Sequence, residues 1–370
     1  MLFLLLLCFA TAFFATAFLV RYAQGHTQRY GSAVPQRFHA GHVPRIGGIG
    51  MLAGCTAGWG WMVVASQWFN AGPVPESPAQ VRTLIGVWVI ACVAVSAGAL
   101  EDLTQRLPAA HRLVLTVVAA ALAVWLLDLS VPRLSFPLLD GLWSATPWLG
   151  IVLAVLAVSG LPHAFNLIDG YNGLAGTVAV VCCFALAYVA LQVGDRQLAA
   201  MVLVVAGSSA GFLVWNYPRG LIFAGDGGAY LWGISIAIVS VMLVMRHPEV
   251  SAWFPILLLV YPVWETVFSI YRKAARGQSP GVADALHIHQ LIYRRIVRGV
   301  FDDDEARRML MRNNRTSPYL WGFAFLTVAP AVMFWNNTAV LMAFAAFFIV
   351  AYVWAYISIV RFKVPSWLRR

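Results

Sequence analysis

Eleven times along this chain the sequence stays apolar for long enough to cross a lipid bilayer. The runs lie near residues 2–20, 46–68, 83–99, 113–128, 148–164, 174–192, 197–214, 228–245, 252–271, 319–335 and 338–360. A helix needs about 20 apolar residues to span the hydrocarbon layer, where every backbone polar group must be satisfied internally. The spacing therefore predicts an all-α polytopic membrane protein of about eleven transmembrane helices, with residues 1–370 as one integral membrane domain. Composition agrees: 61% of residues are apolar and 11% charged, against about 25% charged in a soluble domain. Residues 2–20 have neither a basic n-region nor an A-x-A cleavage site, so they read as a first span and not as a removed signal.

Cys8, Cys55, Cys92, Cys182 and Cys183 all fall inside apolar runs without C-x-x-C spacing, so neither a disulfide framework nor a metal site is expected of them. The net charge of +10 reads as membrane topology and not as nucleic-acid binding. With the N-terminus outside, the segments 21–45, 100–112, 215–227, 272–318 and the C-terminus hold 21 of the 25 Lys and Arg residues. Cytoplasmic connections collect such residues. The expected topology is a periplasmic N-terminus and a cytoplasmic C-terminus.

Every unusual polar cluster sits in connections on that same cytoplasmic face. They are "HVPRIGGIG", "GALEDLTQRL", "FNLIDGYNGLAG", "NYPRGLIFAGDGGAY" and "ARGQSPGVADALHIHQ". The connections on the other face read as ordinary turns and spacers. Glu101, Asp102, Asp169, Asp226, Glu265 and Asp284 are the acids at or near this face. Glu265 lies inside the ninth run, where a carboxylate is costly and marks a pathway, a partner or a site. Acids converging from distant loops suit a hard divalent cation such as Mg²⁺, which takes oxygen ligands and keeps waters for substrate phosphates. Neighbouring glycines permit close backbone approach and leave room for phosphate oxygens. Arg45, Arg272, Lys273, Arg276 and Arg294 can neutralise phosphates, and His287 and His289 can donate to them.

Each feature has a plainer reading when taken singly. Glu101 and Asp102 can be a helix-end charge pair, Asp169 a cap on the following helix, and Asp226 a turn residue. Gly50, Gly54 and Gly58, at four-residue spacing, read as a helix-packing face. "DDDE" at 302–305 reads as a solvated face. "IHQLIYRRIVRG" has apolar Ile288, Leu291, Ile292 and Ile296 against basic Arg294, Arg295 and Arg298. That pattern suits an amphipathic helix on the anionic inner leaflet, holding the histidines over the site.

The ordered set "PRIGG", "ALEDL", "NLIDGYNGL", "NYPRGLIFAGDGG" and "RGQSPGVADALHIHQ", spread over residues 40–300 or so, resembles the polyprenyl-phosphate N-acetylhexosamine-1-phosphate transferases. The resemblance implies a cytoplasmic-face cleft in which undecaprenyl phosphate attacks the β-phosphate of a UDP-N-acetylhexosamine, releasing UMP. It implies Mg²⁺, with Mn²⁺ as the alternative ion, and leaves a homo-oligomer open. Such a reaction initiates cell-surface polysaccharides such as O-antigen. By motif, Glu101 and Asp102 match an acidic pair tied to the metal and the lipid phosphate, Asp169 an acid near the nucleotide, and Asp226 the best candidate metal ligand, with Asp102 beside it. Asn216 and Phe223 match residues lining the donor pocket, and His287 and His289 match contacts to donor phosphates. Arg45, Asn166, Asn172, Glu265 and Arg276 complete the substrate-binding set.

The chain departs from that pattern in places. Glu101 replaces a usual Asp, Asn172 stands where relatives often carry a second Asp, Glu265 where Asp is common, Gln290 where a further His is common, and Arg219 where a small or apolar residue is usual. These point to altered sugar specificity or site geometry. Two other classes stand as alternatives: an ion-coupled transporter, and a catalytically altered relative serving as a scaffold. Carriers bind substrate near the midplane between repeats, whereas these acids cluster at one face and no inverted repeat is evident.

Overall fold

The structure, a computed structural model, describes residues 1–23, 43–68, 75–278, 286–300 and 302–361, so Asp284 lies outside the described residues. Among them the elements are helices: α1 Leu2–Tyr22, α2 Gly47–Trp68, α3 Pro78–Thr104, α4 Ala109–Leu127, α5 Pro137–Ala145, α6 Trp148–Ile168, α7 Leu174–Gln192, α8 Arg196–Asn216, α9 Gly225–Arg246, α10 Trp253–Leu258, α11 Val260–Ala275, α12 Ile288–Leu291, α13 Glu305–Met333 and α14 Thr338–Val360. Nine of the described helices, α1 to α4, α6 to α9 and α14, are long and apolar enough to cross a membrane. The protein is a multi-pass membrane protein. Several helix starts carry side-chain caps that satisfy the exposed first-turn N–H groups. Ser77 caps α3, Asp195 α8, Asp304 α13 and Asn337 α14.

The other two expected spans take a different form. The run at 252–271 is broken into α10 and α11. Pro262 has no N–H to give the Leu258 carbonyl and its ring crowds that position, so the helix stops and restarts. The carbonyl freed at Leu258 faces the Cys182 thiol at 3.9 Å. The run at 319–335 belongs to α13, which begins at Glu305 and so removes much of the expected 272–318 loop. The connection "LSVPRLSFPLLDGLWSATP" is more than a spacer, since it contains α5.

Glycine spacing explains the packing. Gly50, Gly54 and Gly58 lie against Thr16, Ala12 and Cys8 of α1, as their four-residue period predicts. At the core stands α9, with every residue from Gly227 to Val244 buried. Its neighbours reach its backbone through glycines: Gly48 of α2 against Gly227 and Gly228, Gly98 of α3 against Gly227, and Gly233 of α9 against Pro162 of α6. These crossings bring the ends of α2, α3 and α6 together at the start of α9, at what we call the motif end.

The segment expected as an amphipathic helix on the lipid surface is α12, followed by a π turn at Ile292–Ile296 and a 3₁₀ turn at Val297–Gly299. Ile288, Leu291, Ile292, Ile296 and Val297 are buried in protein, so this apolar face is covered by the fold and not by lipid. Arg312 of α13 secures it by donating to the carbonyls of Tyr293 (2.8 Å) and Val297 (3.2 Å). Between α6, α9, α10 and α11 lies an apolar cavity of about 470 Å³. It runs from Val131, Leu134 and Val244 at the far end to Ala164, Thr266 and Val267 near the motif end. Its lining residues Leu156, Ile256, Val263 and Val267 are exposed, which opens it to the lipid-facing surface.

Candidate active site

The site begins with the backbone of α9. Asp102, near the end of α3, accepts from the N–H of Asp226 at Oδ1 and of Gly227 at Oδ2, both at 2.9 Å. A carboxylate on α3 thus caps α9, placed where the helix dipole favours negative charge. Gly225, at φ +71°, lets the chain turn there, where a Cβ would strike the Arg45 carbonyl and the Asp102 carboxylate. Phe223 N donates to Pro44 O, while Gly47 N and Gly48 N donate to Phe223 O and Ala224 O, at 2.8 to 2.9 Å. The loops "PRIGG", "ALEDL" and "FAGDGG" are therefore one hydrogen-bonded unit. The glycines of "GDGG" make room for protein: Gly227 faces Ala99 and Val95, and Gly228 faces Ala224 and Met51. They do not open space for phosphate oxygens, as the sequence led us to expect. Glu101 points elsewhere, accepting from Leu107 N at 2.7 Å to close the turn after α3.

Asp226 projects from this unit, part-exposed. Arg112 Nη1 donates to its Oδ2 at 2.7 Å and Asn166 Nδ2 to its Oδ1 at 2.7 Å, with the Tyr230 hydroxyl at 3.3 Å. His163 packs edge-on to Tyr230 and lies 3.0 Å from Thr116 Oγ1. Arg112, Tyr230 and His163 were not singled out in the sequence. The spacing of Arg112 after "ALEDL", one short turn away at the start of α4, was the available signal.

Asp169 ends α6 and leads into the elbow 169–173. It does not cap α7, whose N-cap is Gly173 at φ +70°. Burial and the nearby charge of Asp226 push its carboxyl up to about 7, with Arg45 partly offsetting them. The linkage has a definite sign. A carboxyl whose folded pKa lies above its unfolded value of about 4 contributes most stability below that value, and the contribution is lost as pH rises to about 7. Unfolding midpoints of the wild type should therefore fall with pH across that window more steeply than those of Asp169→Asn. Parallel curves in a pH series of thermal melts would contradict this.

α13, which carries no expected site residue, clamps the elbow. Asn313 Oδ1 accepts from Asn172 N (2.8 Å), Asn314 Oδ1 accepts from Asn172 Nδ2 (2.9 Å), and Ser317 donates to Asn172 O. Trp321 Nε1 donates to Gly173 O, and Asn314 Nδ2 reaches on to Pro218 O at 2.6 Å. Asn216 accepts from Gly173 N and donates to Ile222 O. Asn172 and Asn216, expected to meet substrate, are buried: the Asn172 amide donates to the Asn314 side chain, and the Asn216 side chain bonds two backbone groups of tight turns. The neutral Asn172 has a reason here. An Asp would set oxygen against Asn314 Oδ1, and turning Asn314 round would break its bond to Pro218. Asn172→Asp should cost about 1–3 kcal/mol of stability and weaken donor binding, read by thermal melts and donor KM. A more stable variant would contradict the clamp.

The histidines stand beside the elbow. Their rings stack at 5.1 Å and 11°, and His289 meets Tyr171 edge-on at 5.5 Å. Glu265, expected to bind substrate, is fully buried instead, and His287 Nδ1 donates to it at 3.0 Å. Gln290 Oε1 lies 3.4 Å from His287 N, which gives the departure at that position a local role. Arg276 is exposed at the end of α11 and Arg45 is exposed beside the α9 start.

The donor set is oxygen-only, and the Asp169 carboxyl stands near enough to Asp226 to be raised by its charge as well as by burial. Among the described residues no three acidic, cysteine or histidine side chains stand close enough to cage an ion. An oxygen-only pair of neighbouring acids fits a hard cation held by one or two carboxylates, with phosphate and water completing its shell. Asp226 and Asp169 are the part-exposed acids suited to it, while the buried Asp102 is occupied in holding α9.

The sequence profile of glycosyl transferase family 4 matches residues 84–244. A phospho-N-acetylmuramoyl-pentapeptide-transferase of Moorella thermoacetica is 30% identical over 234 residues, covering 61% of this chain and 69% of that protein. The chain belongs to glycosyl transferase family 4. A probable undecaprenyl-phosphate N-acetylglucosaminyl 1-phosphate transferase of Bacillus subtilis is 29% identical over 255 residues, and the undecaprenyl-phosphate α-N-acetylglucosaminyl 1-phosphate transferase of Escherichia coli K12 is 26% identical over 266. Each match covers 69% of this chain and 66%, just under two thirds, of the relative's own length. The glycosyl transferase family 4 match contains Asp102, Arg112, Asn166, Asp169 and Asp226, and stops before Glu265, the histidines and α13.

Proposed function

We propose that the protein transfers a sugar 1-phosphate from a UDP-N-acetylhexosamine to undecaprenyl phosphate at the cytoplasmic face of a bacterial inner membrane. The observation that carries this reading is the meeting of Asp169 and Asp226 with Arg45 and Arg112 at the membrane end of α9, close to an apolar cavity. Ala164 of that cavity lies two residues before Asn166, so a lipid chain lying in it would bring its phosphate toward Asp226. The basic residues support the orientation: by sequence, the connections that carry the motifs, together with the C-terminus, hold 21 of the 25 Lys and Arg residues. The names of the relatives support the acceptor and the hexosamine class.

In the reaction a phosphate oxygen of the acceptor attacks the β-phosphorus of the donor. The bond from that phosphorus to the bridging oxygen breaks, and UMP leaves with the electron pair. Arg45 and Arg112 offset charge on the phosphates as they meet, and the histidines hold donor oxygens over the elbow. Asp102 keeps Asp226 in place by fixing the first turn of α9. Mg²⁺, held by Asp226 and Asp169, would supply Lewis-acid stabilisation of the pyrophosphate charge.

The reading is tested with detergent-purified protein, undecaprenyl phosphate, Mg²⁺ and a panel of UDP-N-acetylhexosamines. UMP release that requires the lipid and is abolished by EDTA is expected. Folded protein that releases no UMP with any donor would overturn the reading and favour a non-catalytic relative.

A further inference from the structure

The site leans on a helix that no motif announces. Phe348, Tyr352 and Tyr356 recur at four-residue spacing along α14 and are all buried, while Phe347, Val350 and Trp354 on its other faces are exposed. The buried face meets α11: Phe268 packs edge-on to Tyr352 at 5.6 Å and to Tyr356 at 5.0 Å. Arg272 lies over Phe268 and Tyr356 at 4.9 and 4.8 Å. A polar contact crosses this packing, from the Tyr352 hydroxyl to Glu265 Oε2.

Glu265 has no exposed surface, so it cannot touch a donor held in the cleft. Its other oxygen, Oε1, accepts from His287 Nδ1 at 3.0 Å and from Ile288 N at 3.3 Å. An ionised carboxylate only accepts, so Nδ1 carries the ring proton and the plane of His287 is fixed. His289 stacks on that ring and rests against the elbow, where a Cβ on Gly170 would lie 3.5 Å from its Nε2. The contacts form a chain from α14 to the elbow that carries Asp169. A hydrogen-bonded partner behind a functional imidazole sets its tautomer and direction.

We propose that Tyr352 and Glu265 are positioning residues for the histidine pair, so that the last helix governs how tightly the nucleotide-sugar donor is held. This rests on the transferase reading and assigns its donor site a support outside the region that the family profile matches. Neither residue enters the chemistry. Tyr352 holds Glu265, Glu265 holds His287, and the stack holds His289.

The test compares Tyr352→Phe, Glu265→Gln and His287→Gln, singly and combined, in the UMP-release assay. Tyr352→Phe should raise donor KM about threefold to tenfold and Glu265→Gln about tenfold or more. KM for undecaprenyl phosphate, and kcat at saturating donor, should stay within about twofold. Adding Tyr352→Phe to His287→Gln should cost nothing further, because the chain is already cut. Lower unfolding temperatures with wild-type donor KM would reduce the contact to packing and overturn the proposal. Lost turnover in Glu265→Gln with a normal Tyr352→Phe would overturn it too, by placing Glu265 at the chemistry.

A second readout needs no activity. In ¹⁵N-histidine-labelled protein, the Nδ1–H signal of His287, identified by its loss in His287→Gln, should shift in Tyr352→Phe. An unmoved signal would overturn the relay. Wild-type protein that releases no UMP yet shows the shift would refute the transferase reading and leave the relay standing.

Discussion

Asp226→Asn is expected to lower turnover by roughly a thousandfold while the protein stays folded. Asp226 is the part-exposed acid on which Arg112, Asn166 and Tyr230 converge. The substitution keeps the shape of the side chain. Its remaining oxygen can accept from Arg112, and its amide can donate to Asn166 once the Asn166 side chain turns round. The hydrogen bonds are thereby preserved and only the charge is lost. That charge both balances Arg112 and supplies the oxygen best suited to a divalent cation. The measurement is kcat for UMP release alongside the unfolding temperature. Turnover within tenfold of wild type would remove Asp226 from the centre of the reaction.

Asp102→Asn should behave differently, losing stability and rate together. The carboxylate uses both oxygens on the N–H groups of Asp226 and Gly227. An amide offers one acceptor, and its NH₂ would face the second N–H, leaving a buried donor unpaired at a cost of about 1–3 kcal/mol. The charge at the helix start adds a further ~0.3–1 kcal/mol. Since one released N–H belongs to Asp226 itself, that side chain shifts, and a misplacement near 1 Å costs about a hundredfold in rate. Asp102→Asn should therefore melt earlier than both wild type and Asp226→Asn. Rate loss at unchanged stability would mean that Asp102 acts on the substrates directly.

Much of this was legible in the sequence because the bilayer allows few choices. Runs of apolar residues place the spans, and the polar loops on one face place the cleft. Asp169 and Asp226 could be found because an acid beside glycines is conspicuous between greasy segments. Residues whose role depends on what packs against them were not legible. "EARRMLMRNNRT" looks like solvated loop, yet it begins α13, because Asn313, Asn314 and Ser317 spend their polarity on the elbow. Arg112 looked like one basic residue among many until α4 aimed it at Asp226. Glu265 announced itself correctly as costly, but its partners lie at His287 and Tyr352, too far along the chain for any local pattern to connect. The amphipathic pattern at 288–299 was real, and protein covers its apolar face where lipid was expected, because Arg312 of α13 fixes it there.

The central claim is a displacement at the β-phosphate of a nucleotide sugar, and a labelled donor tests it most directly. Purified protein is given the UDP-N-acetylhexosamine it accepts, carrying ³²P in the β-phosphate alone, with undecaprenyl phosphate and Mg²⁺. The expected result is label in the lipid and none in the released nucleotide, which is UMP, with no release when the lipid is omitted. Label recovered as UDP, or nucleotide release that needs no lipid, would contradict the account.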